Sequence, residues 1–119
     1  MKLKILAIIA ALTAASPVMA HDANGKHGGV VADAGEYHVE LVAKGDAIEV
    51  YVADHDNKPI PVAGYKGLAI LSVGGKSQRI TLEAGDGKLT GKASGDLPAE
   101  PKGVVQITPP GGKTVSAKF

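Results

Sequence analysis

The sequence predicts an all-β fold, a small immunoglobulin-like sandwich or barrel of seven or eight short strands. Three observations carry that expectation. Apolar residues alternate or run in short blocks, the blocks are separated by glycine, proline, aspartate and asparagine, and nothing beyond the first twenty residues holds a helical period over about ten residues. Candidate strands cover residues 28–32, 37–43, 47–53, 68–73, 79–83, 88–93, 103–108 and 114–119. Strands this short, spaced this regularly, suit a sandwich or barrel.

Residues 1–20 read as a secretory signal peptide. Lys2 and Lys4 supply the positive end, residues 5–12 an apolar run, and Val18-Met19-Ala20 a small-residue cleavage site. The apolar run is too short to span a bilayer. Cleavage after Ala20 is preferred to cleavage after Ala23, which would put His21 where the site requires a small side chain. The expected product, residues 21–119, is a single all-β domain in the periplasm, and with no cysteine it has no lipid anchor and no disulfide.

The first strand pair is the least determined. With Asp33-Ala34 as a two-residue loop, Gly29 lies opposite His38 and His27 opposite Glu40. With Asp33-Ala34-Gly35 as a three-residue loop, His27 turns to the other face. The next hairpin is clearer, because Gly45-Asp46 is a two-residue turn signal between alternating strands. Its register sets Leu41 against Val50 and Val39 against Val52 on a core face, leaving His38, Glu40, Glu49 and Tyr51 on an exposed one. Pro59, Pro61 and Gly64 make residues 54–66 a long connection or an edge segment. Gly74-Gly75-Lys76 and Gly111-Gly112-Lys113 read as two hairpin turns.

Charge narrows the function. Without the signal's two lysines the chain carries 11 basic and 12 acidic residues, a net charge of −1. Such a balance offers no footprint for nucleic acid or anionic lipid. Both methionines lie in the signal and cysteine is absent, so a metal site would have to use nitrogen and oxygen ligands. No serine sits in a glycine-flanked nucleophile elbow, and both Gly-Lys-Ser/Thr segments lack the earlier glycine of a phosphate loop. The chain is expected not to be an enzyme.

All four histidines fall between residues 21 and 55. As the mature terminus, His21 would offer its α-amine and imidazole to one divalent ion, with Asp22 able to add an oxygen; the competing reading is a frayed polar tail. His38 and Glu40, two apart on a strand, project from one face roughly 6 to 7 Å apart, a spacing that suits two ligands of one ion, though a solvated surface pair has the same pattern. His55 lies in an Asp- and Asn-rich segment that favours a turn. That segment fails as a calcium loop, since Pro59 replaces the required glycine and Tyr65 the bidentate glutamate.

Residues 27–31 (His27-Gly28-Gly29-Val30-Val31), 35–41 and 50–59, together with 88–93 and 111–119, resemble a group of small exported bacterial proteins found near heavy-metal efflux systems. Similar His-Gly-Gly and His-x-Glu segments occur in regions of the periplasmic adaptors of those pumps. The resemblance spans nearly the whole mature chain. It implies metal association, with His27, His38 and Glu40 as ligands and periplasmic efflux components as partners. The chain departs from methionine-dependent copper(I) chaperones, so copper(II) is favoured, with zinc, nickel or cobalt next. Binding would be proton-coupled, weakening near the ordinary imidazole pKa of roughly 6.5. The alternative function is an immunoglobulin-like envelope interaction module presenting Tyr51 to a protein partner. A histidine-brace copper oxidase ranks last, because the chain is small and poor in aromatic residues.

Overall fold

The computed structural model describes residues 25–119; the expected signal peptide, its expected cleavage point and His21 lie outside the described residues. All eight expected strands form: β1 (Val30–Ala34), β2 (Tyr37–Lys44), β3 (Ala47–Ala53), β4 (Lys66–Val73), β5 (Lys76–Gly85), β6 (Lys88–Lys92), β7 (Gly103–Thr108) and β8 (Val115–Lys118). Every pairing is antiparallel, in the order β1-β2-β3-β6-β5-β4-β7-β8. This is one continuous sheet. Its two edge strands, β1 and β8, lie against each other without a ladder between them, so the sheet curls into a nearly closed barrel.

The corner of that barrel is β5. Residues 76–82 pair with β4, and residues 83–85 pair with β6, so one long strand passes from one half of the sheet to the other. Gly91 of β6 makes the crossing possible. A Cβ there would lie 2.8 Å from both the Thr81 carbonyl oxygen and Ile80 Cγ2. A residue with no side chain lets the two strands approach where the sheet bends.

Alternation fills the interior. Val39 and Leu41 of β2, Ile48, Val50 and Val52 of β3, and Leu71, Leu82, Leu89, Val105, Ile107 and Ala117 from the remaining strands are all buried, with Val62 of the long connection closing one end. An eight-stranded barrel is just wide enough for such side chains to fill it. The β2–β3 register is the one the Gly45-Asp46 turn specifies, with Leu41 opposite Val50 and Val39 opposite Val52. Both Gly-Gly-Lys segments join paired strands, β4 to β5 and β7 to β8.

The β1–β2 register differs from both expected alternatives. The turn is Gly35-Glu36, which sets Asp33 opposite His38 and Val31 opposite Glu40. Gly35 has φ 58°, the left-handed value that the first position of a type II′ turn requires and that glycine alone adopts without strain. The shift also places Ala34 in the core, fully buried.

Candidate functional site

The outward face of β1, β2 and β3 carries Val31 and Asp33, His38 and Glu40, and Glu49, Tyr51 and Ala53. The sequence places this face in solvent. Glu40 and Glu49 are instead 7% and 8% exposed, because other parts of the chain cover them.

Residues 25–29 cover Glu40. They fold back as a tight turn in which the Gly25 N–H donates to the Gly29 carbonyl (2.9 Å) and the Gly28 N–H to the Gly25 carbonyl (3.1 Å). The turn closes around the Glu40 carboxylate. Oε2 accepts from the backbone N–H groups of His27 and Gly29, each at 2.9 Å, and Oε1 lies 2.8 Å from His27 Nδ1. Backbone N–H groups two residues apart converging on one anion make a nest-like anion site. Glycine is needed at both ends: a Cβ on residue 25 would run into the Glu40 carboxyl group, and one on residue 29 into the Leu41 carbonyl. His27 therefore reaches the face from this turn and not from β1, and it does join His38 and Glu40.

An aromatic floor fixes the His27 ring. It stacks on Tyr51 with centroids 3.6 Å apart and planes inclined by 4°. Tyr51 is itself anchored, its hydroxyl donating to Glu49 Oε2 at 2.7 Å. Glu49 also pairs with Lys44 at 2.8 Å and with Lys88, whose ammonium lies 5.9 Å from the Tyr51 ring centre. The bonds from Lys44, Lys88 and Tyr51 stabilise the carboxylate and hold the Glu49 pKa down at about 2. The same bond pushes the Tyr51 hydroxyl up, since ionising it would set a phenolate beside a carboxylate.

His38 stands across the face, its Nδ1 3.6 Å from Asp33 Oδ1, an electrostatic contact longer than a hydrogen bond. His27, His38, Asp33, Glu40 and Tyr51 line one open cleft of about 660 Å³. Its far wall is the connection after β3, where Asp54 Oδ1 accepts the N–H groups of Asp56 and Lys58 and Asn57 takes φ 61°. Lys26 Nζ ties the turn to that wall by donating to the Asn57 carbonyl at 3.1 Å. His55 is an exposed residue of this second turn, near Asp56 and outside the cleft lining.

The tautomer follows from the bonding. An ionised carboxylate only accepts, so the contact with Glu40 puts the proton of neutral His27 on Nδ1 and leaves the lone pair on Nε2. At His38 the Asp33 carboxylate likewise lies toward Nδ1. The cleft thus presents two imidazoles, each with a carboxylate on its Nδ1 side. Among the described residues, no three His, Asp or Glu side chains are arranged to hold one ion. Glu40 is engaged through both oxygens.

Compared with known proteins, the chain matches no family model, no curated protein and no solved structure. Two contributors escaped the sequence reading. Asp33 was hidden by the β1 register, and the role of Tyr51 as the floor beneath His27 was signalled only by its place on the same face as Glu40.

Proposed function

We propose that this protein binds a divalent transition-metal ion in the cleft, through Nε2 of His27 and Nε2 of His38, and buffers or delivers it in the periplasm alongside heavy-metal efflux components. The role is binding, not turnover. The observation that carries this reading is the 2.8 Å contact between Glu40 and His27 Nδ1. Histidines that ligate metals commonly donate their other ring N–H to a carboxylate, which fixes the ring and raises its basicity. Glu40 in this arrangement stands behind a ligand and need not be one. Imidazole donors fit copper(II) first, then zinc, nickel or cobalt. The interaction-module alternative relied on Tyr51 as an exposed aromatic anchor, and one face of that ring is covered by His27.

Titrating zinc(II) into ¹⁵N-labelled protein while following long-range imidazole ¹H–¹⁵N correlations tests the assignment. Nε2 of His27 and His38 should shift together and saturate, while His55 stays in place. Shifts confined to His55, or none at all, would overturn it.

A further inference from the structure

The cleft is far larger than the ion assigned to it. An ion with four first-shell waters needs roughly 120 Å³, at about 30 Å³ per water, whereas the cleft measures about 660 Å³. That volume falls within the roughly 300 to 1,000 Å³ of pockets that hold small organic molecules. The walls suit the same class of ligand. Most of the lining surface is apolar, with Val31 of β1, Ala53 of β3 and Pro59 of the next connection among its residues. Lys26 lines the cleft as well, and the Asn57 carbonyl takes one of the three N–H groups of its ammonium.

Donor count points the same way. Copper(II) and zinc(II) favour four strong donors, and the two imidazoles supply two. Among the described residues no third metal-ligating side chain joins them on one ion, and Glu40 is engaged by the 25–29 turn through both oxygens. Two positions are left to other ligands.

Resting on the metal-binding reading, we propose that the cleft takes its ion together with one α-amino acid, as a ternary complex. The amine nitrogen and one carboxylate oxygen of the amino acid fill the two remaining positions and close a five-membered ring on the ion, the ammonium of the free amino acid giving its proton to solvent. Nitrogen and oxygen are the donor types that copper(II) accepts beside imidazole. The second carboxylate oxygen is left for Lys26, and the side chain lies against Val31, Ala53 and Pro59. The cargo is then a metal chelate with an apolar side chain, and the cleft discriminates among chelates by that side chain.

Equilibrium dialysis of residues 21–119 against copper(II) and ¹⁴C-labelled L-leucine, with copper read by atomic absorption, tests this. One leucine should be retained per chain together with one copper ion, and its retention should vanish when copper is omitted and in the His27→Ala/His38→Ala variant. Labelled glycine, which has no side chain to bury, should be retained at least about tenfold more weakly than leucine. Val31→Trp, which fills the apolar side of the cleft, should keep the copper and lose the leucine. Copper retained without leucine would overturn the chelate and leave the His27 and His38 site standing. Leucine retained equally without copper, or glycine retained as well as leucine, would likewise overturn the chelate. No retained copper, or copper retention undiminished in the double variant, would overturn the metal-binding reading and the chelate together.

Discussion

Replacing Glu40 by glutamine keeps the shape of the side chain and changes its hydrogen-bonding logic. Glu40 accepts three bonds, from the His27 and Gly29 N–H groups at 2.9 Å and from His27 Nδ1 at 2.8 Å. Bonds to a charged acceptor contribute about 1.5 to 3 kcal/mol and neutral ones about 0.5 to 1.5, so losing the charge removes about 1 kcal/mol from each. The turn lies at the end of the domain and can detach into water, which limits the total to about 2 kcal/mol. For a domain of this size that is a fall in Tm of about 8 to 16 °C. The larger consequence is at the ring. With the glutamine oxygen held by the two backbone N–H groups, its amide NH₂ faces His27 Nδ1, which must become an acceptor. The proton moves to Nε2, where it blocks the lone pair that would bind the ion. Metal affinity should then fall about 10- to 100-fold, the usual cost of removing such an orienting carboxylate. Thermal unfolding, imidazole ¹⁵N shifts of the metal-free protein and a metal titration read the three effects separately. An E40Q protein with wild-type affinity, or with the Nδ1–H tautomer intact, would refute the reasoning.

Three further perturbations probe the rest of the structure. Tyr51→Phe keeps the stack beneath His27 and should bind metal within about threefold of wild type, whereas Tyr51→Leu removes a stacking contribution of about 0.5 to 1.5 kcal/mol and should weaken binding up to about tenfold in the same titration. Glu49, held down at about 2 in the fold against an ordinary value of 4.5, contributes stability that is fully present above pH 4.5 and is lost as pH falls from there toward 2. Because Lys44 is largely exposed and its pairing screened, the loss should be about 1 to 2 kcal/mol, seen by urea unfolding as a steeper decline in wild type than in Glu49→Gln. Gly91→Ala should cost about 1 to 3 kcal/mol by forcing a methyl group against the Thr81 carbonyl at the barrel corner. The control Gly85→Ala, with open space around it, should melt close to wild type.

Local chemistry wrote most of the fold into the sequence. Alternation with a period of two located all eight strands, and the Gly45-Asp46 turn fixed the β2–β3 register because a two-residue loop leaves no freedom to slip. The β1–β2 turn was ambiguous because residues 33–36 are all tolerable turn formers. Only the positive φ of Gly35 and the packing of Ala34 into the core select Gly35-Glu36. His38 and Glu40 were legible as a pair, since the His-x-Glu spacing survives a change of register, whereas the place of His27 beside them depended on a turn that the alternation does not specify. Their geometry was not. The burial of Glu40 depends on residues 25–29 folding back across the sheet, held by backbone N–H groups that carry no periodic signature. The contact of His38 with Asp33 required the register that local signals left open.

Calorimetric titration of copper(II) and zinc(II) into the chain beginning at His21, beside its His27→Ala/His38→Ala variant, tests the metal-binding account most directly. Tight, saturable binding of one ion per chain that falls at least about 100-fold in the variant is the predicted result. Weak, nonstoichiometric heat in the native protein, or binding that the double variant retains, would contradict it.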